Sequence, residues 1–233
     1  MPVGKRIYLR RSMPDPDIVE GFRGLPASNV ADVMNRNCAM NPRIRLLSIP
    51  NPEISVGVAF TVKARAGDNL VIHAAMQYIG EGDYLVISNE GDTTRSLLGD
   101  IMLNYLFHLR KIAGIVVDGP IRDLGSVKTW NFPIYATGSC PVGPYKEGPG
   151  EVNVPIACGE VSVHPGDIIL ADVDGVIVIP RVDAPVILTE ARAYYAKDQA
   201  KVTLAKEGKL DRAWVEEALV KKEFEIIDDK YDC

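Results

Sequence analysis

Two short apolar runs, separated by an amphipathic segment, constrain the fold of this 233-residue chain more than any other feature. Residues 84–87 and 115–117 are apolar and contain valine and isoleucine, which is typical of short buried strands. Between them, apolar residues recur at helical spacing: Leu97, Leu98, Ile101, Met102, Tyr105, Leu106, Leu109 and Ile112. The pattern predicts a strand, a helix and a second strand joined as a right-handed parallel crossover, and hence an α/β fold.

Shorter signals predict the elements around this unit. Helices are expected near 17–22 and 28–35, the second capped by Ser28, and a strand is expected within 50–64. Asp68 is the predicted N-cap of a helix that follows it, and Asp118-Gly119-Pro120 predicts a turn. Residues 138–180 have the short valine and isoleucine runs of antiparallel strands. Residues 184–206 and 211–222 have helical composition, and their apolar face needs cover, so we expect them to pack on a neighbouring subunit.

The charge balance argues against a nucleic-acid partner. With 26 basic and 31 acidic side chains, the formal net charge is −5, so long-range attraction for phosphate is weak. No apolar stretch approaches the roughly 20 residues of a membrane-spanning helix. The start of the chain lacks the apolar centre of a signal peptide. We therefore expect a cytoplasmic protein with neither a nucleic-acid nor a membrane partner.

Cysteine and histidine form no metal-binding pattern in the sequence. The four cysteines are far apart and include no Cys-x-x-Cys pair, which suits reduced thiols better than a zinc module: Cys38, Cys140, Cys158 and Cys233. The three histidines are also isolated: His73, His108 and His164. A site assembled in space from the histidines is the alternative, but separate buried or surface side chains fit the spacing better. Gly-x-Ser-x-Gly, Walker-type and Gly-x-Gly-x-x-Gly motifs are absent, which argues against hydrolases, nucleotide-binding enzymes and methyltransferases.

Polar residues instead follow the two predicted parallel strands, where open α/β folds bind ligands. Gly99 interrupts a good helical pattern at a free-energy penalty of roughly 1 kcal/mol relative to alanine. If the helix begins at Asp100, the glycine allows the backbone N–H groups of Asp100, Ile101 and Met102 to approach an anion. Close packing of Gly99 against a strand explains the glycine equally well.

Arg122 and Asp123 follow the second strand, behind a glycine and a proline. Arginine has a planar set of donors that suits a carboxylate, and aspartate suits a hard cation such as Mg2+. Together they suit a 2-oxo acid. The simpler alternative is a surface ion pair worth about 0–1 kcal/mol.

Five motifs in a fixed order carry a resemblance to one family. They are Gly67-Asp68-Asn69-Leu70 with His73, Gly82-Asp83-Tyr84-Leu85-Val86, Leu98-Gly99-Asp100, Gly119-Pro120-Ile121-Arg122-Asp123, and Gly166-Asp167 with Asp172-Val173-Asp174-Gly175-Val176. This order resembles the family that contains the regulator of ribonuclease activity A and the class II 4-hydroxy-4-methyl-2-oxoglutarate/4-carboxy-4-hydroxy-2-oxoadipate aldolases. The match covers about 28–182, which it marks as a catalytic domain between an N-terminal arm (1–27) and a helical C-terminal arm (183–233).

The resemblance implies an α/β/α sandwich of the swivelling-domain type with a β-barrel-like core, plus C-terminal helices. It implies homotrimers or homohexamers with active sites at subunit interfaces. Its aldolase members use Mg2+ or Mn2+, cleave 4-hydroxy-2-oxo acids to release pyruvate, and in many cases decarboxylate oxaloacetate.

The resemblance also assigns roles to residues of this chain. Arg122 is expected to bind the carboxylate of the substrate and stabilise the enolate, and Asp123 to be the metal ligand. Gly99, Asp100, Ile101 and Met102 are expected to line the substrate site with backbone N–H groups, and Asp100 to order metal-bound water as a second catalytic residue.

Two features bear on the choice between enzyme and regulator. The ribonuclease-regulator members lack the aspartate after the arginine, so Asp123 favours the aldolase side over a non-catalytic protein that binds a partner such as a ribonuclease. Ser126, however, stands where the aldolase pattern has an acidic residue. The 22 residues between Gly99 and Arg122 also exceed the roughly 20 of that pattern, which predicts a slightly longer intervening helix.

Overall fold

The computed structural model describes residues 2–231. Its strands are β1 (Arg45–Leu46), β2 (Ser55–Ala64), β3 (Asp83–Ser88), β4 (Gly114–Ile121), β5 (Ile134–Ser139), β6 (Gly150–Val152), β7 (Ile156–Cys158), β8 (Val161–Val163), β9 (Ile168–Asp172) and β10 (Gly175–Ile179). Its α-helices are α1 (Pro16–Gly21), α2 (Ala27–Val33), α3 (Leu70–Ala75), α4 (Asp100–Asn104), α5 (Leu124–Val127), α6 (Ala184–Lys206) and α7 (Ala213–Lys221). A π-helical turn, Tyr105–Leu109, continues α4.

One mixed sheet carries the fold, in the order β1-β5-β4-β3-β2-β9-β10, with β6 also paired to β2. Strands β3 and β4 are parallel, as the crossover pattern predicts, and β2 and β5 extend the parallel set on either side. Strands β1, β9 and β10 run antiparallel to their neighbours. The two edges of the sheet nearly meet, because the segment just before β1 bonds to the opposite edge strand, β10. Met40 N donates to Val176 O and Val178 N donates to Cys38 O, both at 2.9 Å. The predicted α/β fold with a barrel-like core and C-terminal helices is confirmed.

Alternation along the strands explains why their sequences are apolar throughout. Leu85 and Ile87 of β3 pack into one hydrophobic core with residues of α3 and α4. Tyr84 and Val86 of the same strand point to the opposite face and pack into a second core with β9 and β10. Successive side chains of a strand face opposite sides of a sheet, so a sheet buried on both faces needs no polar alternation.

Three local predictions differ from the structure. The helix predicted from Leu97 begins at Asp100, because residues 97–98 are extended and pair with the end of β4. The turn predicted at Asp118-Gly119-Pro120 is part of β4, where a change of register after Val117 accommodates Pro120. Helix α2 has Pro26 at its N-cap position, so Ser28 lies inside the helix.

The chain forms two compact units that divide between Arg192 and Ala193, inside α6. The first contains the sheet and helices α1 to α5. The second contains the end of α6 and all of α7, a helix with no buried residue. No helix within 2–231 is both long and apolar enough to cross a membrane. Cys38, Cys140 and Cys158 are free thiols, and Cys233 lies outside the described residues.

Candidate active site

The site begins where an extended segment runs along the end of β4. Leu97 N donates to Pro120 O at 3.1 Å, and Arg122 N donates to Leu98 O at 2.9 Å. These two bonds fix the loop before α4 against the residues that follow β4. They place Gly99 directly beside the side chains of Arg122 and Asp123.

Gly99 leaves space that these side chains occupy. A Cβ atom at Gly99 would lie 2.5 Å from Oδ2 of Asp123 and 2.7 Å from Nε of Arg122. The glycine's φ of −140° is accessible to any residue, so the requirement here is for volume and not for an unusual backbone. Of the two explanations from sequence, close packing applies, and the packed groups are the predicted site residues themselves.

Asp123 joins the arginine to the start of α4. Its backbone is left-handed, with φ of 61° and ψ of 32°, a conformation that aspartate tolerates better than most residues. Its Oδ2 accepts a hydrogen bond of 3.0 Å from Asp100 N and lies 3.5 Å from Arg122 Nε. The arginine and aspartate side chains remain 45% and 35% exposed, so both are open to ligand. The ion pair expected from the Arg-Asp sequence is therefore present. The Asp123 carboxylate of this pair also caps the start of α4.

A pocket of about 370 Å³ opens next to this junction. Gly99, Ile101, Met102 and Arg122 line it, as the substrate-site prediction requires. Asp100 and Asp123 are not among its lining residues; they lie beside it, joined by their hydrogen bond. The Asp100 amide, predicted to be free for an anion, is already taken by the Asp123 carboxylate.

The pocket is also lined by residues that were not predicted as site residues, among them Asn69, His73 and Lys146. Asn69 precedes α3 and His73 lies one turn later, so both occupy one side of that helix. The four-residue spacing between Asn69 and His73 was the signal in the sequence that could have placed both on one side of a helix. Asn69 Nδ2 donates to Leu97 O at 2.9 Å, while its buried Oδ1 has no hydrogen-bond partner among the described residues. Because this acceptor is shielded from solvent, it is an unsatisfied group within the pocket wall.

Asp68 holds the loop that carries Lys146. The carboxylate is fully buried, and its Oδ2 accepts from Glu147 N at 2.7 Å and from Gly148 N at 2.9 Å. Its Oδ1 accepts from Leu70 N at 2.9 Å, so Asp68 bonds the first residue of α3, but the N-cap is Asn69 and the prediction of Asp68 as the N-cap is wrong. One buried carboxylate thus ties the Asn69 side of the pocket to the Lys146 side.

The pocket has a positive field. The pKa of His73 lies below its ordinary value of 6.5, first because the imidazole is partly buried and second because the Lys146 ammonium is close. Arg122 and Lys146 give the pocket a cationic lining that suits a substrate with more than one carboxylate, while the lowered pKa of His73 favours its neutral form.

Comparisons with known proteins identify the family of this chain. The model of a family described as RraA-like, Aldolase/RraA, matches residues 27–178. The chain belongs to the RraA-like family. A relative from Halalkalibacterium halodurans, named "Putative 4-hydroxy-4-methyl-2-oxoglutarate aldolase", is 39% identical over 190 residues, which are 82% of this chain and 89% of the relative.

Solved structures share the fold of this RraA-like protein. Streptomyces coelicolor RraAS2, described as an unusual member of the RNase ES inhibitor RraA protein family, superposes with a TM-score of 0.72 at 27% identity, covering 82% of this chain and 98% of that one. An uncharacterized protein from Pseudomonas syringae pv. tomato superposes with a TM-score of 0.73 at 23% identity, over 85% and 96% of the two chains, and supports the fold alone.

The donor set of this RraA-like protein fits a hard divalent cation held mainly by water. Among residues 2–231, no group of three or more histidine, cysteine, aspartate or glutamate side chains is arranged for a metal ion. Mg2+ commonly binds through one or two carboxylates and keeps several waters, and the partly exposed Asp123 is compatible with that mode of binding. A zinc site needs more side-chain ligands than this region offers.

Proposed function

We propose that this RraA-like protein is a divalent-metal-dependent lyase that cleaves a 4-hydroxy-2-oxo acid by a retro-aldol reaction and releases pyruvate. The observation that carries the proposal is the junction of Gly99, Arg122 and Asp123 beside a pocket with a cationic lining. Arg122 is placed to bind the carboxylate next to the 2-oxo group. Asp123, with Mg2+ or Mn2+, supplies the hard-cation site.

The reaction breaks the bond between C3 and C4 of the substrate. The 4-hydroxyl loses its proton, C4 becomes a carbonyl carbon, and the electron pair of the broken bond forms the enolate of pyruvate, which is then protonated at C3. A bound divalent cation would polarise the 2-oxo group and so lower the energy of this enolate. The Arg122 guanidinium adds positive charge that interacts more strongly with the enolate than with the neutral ketone. Decarboxylation of oxaloacetate passes through the same enolate, so we propose it as a second activity.

The remaining pocket residues support a substrate with a second carboxylate. Lys146 and His73 also line the pocket, although they are distant from Gly99 in sequence. The Lys146 ammonium is a compact positive charge. We therefore propose a dicarboxylic 4-hydroxy-2-oxo acid as the substrate class.

The experiment is to follow pyruvate release by the full chain from oxaloacetate and from a panel of 4-hydroxy-2-oxo acids, with Mg2+ or Mn2+. Blanks with metal and no protein correct for the spontaneous decarboxylation of oxaloacetate. We expect metal-dependent turnover that is lost in Arg122→Ala and Asp123→Ala. Asp211→Ala and Arg212→Ala, an adjacent exposed acid and base in the second unit, are matched controls. Turnover without metal, or none on any substrate, contradicts the proposal.

A second candidate is a non-catalytic regulator that binds a protein such as a ribonuclease. The likeness to Streptomyces coelicolor RraAS2 favours it. Binding to a ribonuclease that persists in Asp123→Ala, together with no turnover, would select this function over the lyase.

We also propose that the chain forms a homotrimer or homohexamer with its active site at a subunit boundary. Ile101, Tyr105 and Leu109 are exposed apolar side chains spaced four residues apart, directly after Gly99, and form a stripe beside the pocket. We expect Leu109→Glu to lower the mass that light scattering measures for the assembly. A monomeric wild-type chain contradicts this part of the proposal.

A further inference from the structure

A second cleft, of about 640 Å³, lies along the N-terminal arm and shares no lining residue with the pocket beside Gly99. Its lining contains an excess of basic side chains over the single acid Glu151: Arg6, Arg10, Arg11, Lys63 and Arg181, with His164. Neither the sequence motifs nor the proposed reaction uses these residues. We call this site the basic cleft.

The arm that forms one wall of the basic cleft is fixed by backbone hydrogen bonds to β6. Gly150 N donates to Gly4 O at 2.8 Å, Val152 N donates to Arg6 O at 3.0 Å, and Tyr8 N donates to Val152 O at 3.2 Å. The arm therefore extends the sheet edge, and the positions of its arginines are set by the fold.

Much of the positive charge in the basic cleft is not neutralised by the protein. Arg6 pairs with Glu151, and Arg11 pairs with Asp83. Within residues 2–231, the side chains of Arg10 and Arg181 have no ion-pair partner. The chain as a whole is acidic, so a local excess of free cationic groups is unusual for it and calls for an anion.

Two buried polar atoms in the lining also lack partners. The side chain of Arg11 is nine-tenths buried, and its Nε has no hydrogen-bond acceptor in the described structure. Asn153 Oδ1 is buried and likewise has no donor, although Asn153 Nδ2 donates to Tyr8 O at 2.9 Å. Both atoms are shielded from solvent, so they are unsatisfied groups within the wall of the cleft and are not contacts open to a ligand.

We propose that the basic cleft binds a small multivalent oxyanion, separately from the pocket beside Gly99. The two free arginines and Lys63 together call for more than one negative charge. Arginine forks suit phosphate and carboxylate groups alike, and the volume is within the range of small-molecule sites. The ligand class is therefore a phosphorylated metabolite or a tricarboxylate.

The test uses pyrophosphate and citrate as probes, which distinguish the two sources of negative charge. Binding is measured by titration calorimetry on the full chain carrying Arg122→Ala, because that change removes the main oxyanion contact of the other pocket. We expect one binding event for at least one probe, weakened about tenfold or more when Arg10→Ala and Arg181→Ala are added. Its affinity should fall as salt concentration rises.

Arg36→Ala with Arg212→Ala, two exposed arginines outside the basic cleft, are the matched control and should leave binding unchanged. Circular dichroism melts of both double variants establish that they fold. No binding of either probe, or equal binding in the cleft variant and the control, overturns the proposal. Because the measurement is made without the Arg122 side chain, its outcome is independent of whether the lyase reaction occurs.

Discussion

The backbone N–H of Asp100 donates a hydrogen bond of 3.0 Å to Oδ2 of Asp123. The start of α4 is therefore capped by a side chain 23 residues later in the chain, and the proposed cation ligand is also a structural element. Substitutions at 123 and at its neighbours can separate these two roles.

Gly99→Ala should abolish activity with little loss of stability. The new methyl group would lie 2.5 Å from Asp123 Oδ2, so the carboxylate and Arg122 must move. Displacement of catalytic groups by about 1 Å lowers rates on the order of 100-fold, and we expect kcat/KM for pyruvate release to fall by at least that factor. Gly125→Ala in α5, where a Cβ meets nothing within 4 Å, is the control. Equal activity of the two variants would show that the contact at Gly99 is unimportant.

Asp123→Asn should keep the fold and lose the cation. Asparagine still accepts a hydrogen bond from Asp100 N and tolerates left-handed backbone, but it carries no charge. We expect a melting temperature close to that of the wild type and Mn2+ binding weakened at least about tenfold. Asp123→Ala should in addition lose about 1 kcal/mol of stability, because the cap is removed. Titration calorimetry with Mn2+ measures how much affinity is lost with the carboxylate charge. Retained binding in Asp123→Asn would exclude Asp123 as the ligand.

Asp68→Ala should destabilise the protein and weaken substrate binding through Lys146. The substitution leaves the amides of Leu70, Glu147 and Gly148 without their acceptor, which should lower the free energy of unfolding by roughly 2–4 kcal/mol. The freed loop should raise KM more than it lowers kcat. Lys146→Ala is expected to raise KM without the loss of stability, and the double variant should be non-additive in KM. Additive effects on KM would show that Asp68 does not position Lys146.

The affinity of the pocket for oxalate should rise as pH falls. His73 has a lowered pKa in the folded protein, so it stays neutral at pH values where a free imidazole is protonated. The lowered pKa of His73 by itself makes the free energy of unfolding decrease as pH falls below about 6.5, because the unfolded chain takes up the proton first. A bound dianion favours protonated His73, so binding should take up a proton and strengthen towards acid. Titrations between about pH 5.5 and 7.5 should show this trend in wild type and in the control His108→Gln, and a weaker one in His73→Gln. Identical pH dependence in all three would exclude His73.

Local sequence patterns predicted β2, β3, β4 and most of the helices, but they missed β1, β5, α5 and several boundaries. Valine and isoleucine runs mark β3, β9 and β10 because strands buried on both faces need only apolar residues. Pro120 was misassigned to a turn because its neighbours suggest one locally, whereas its place in β4 depends on pairing with Gly138 of β5 and on its carbonyl accepting from Leu97 N. Those partners are distant in sequence.

The candidate site was predictable in the same uneven way. Arg122 and Asp123 are adjacent, and Gly99 stands out in a helical pattern, so single segments reveal them. Lys146 joins the pocket because the residues on either side of it are bonded to the segment before α3: Asp68 accepts from the two amides that follow Lys146, and Tyr145 bonds to Gly67 and Asn69. The Asp68 contacts link segments 79 and 80 residues apart, and no periodicity within either segment encodes them.

The lack of a side chain at Gly99 also limits which substitutions this site can accept during evolution. A larger residue at 99 is excluded only while Asp123 and Arg122 fill that space. A lineage that loses the carboxylate at 123 would release the constraint at 99, and a lineage that first fills 99 would displace the carboxylate. The two positions should therefore covary among relatives, and glycine at one should accompany aspartate at the other.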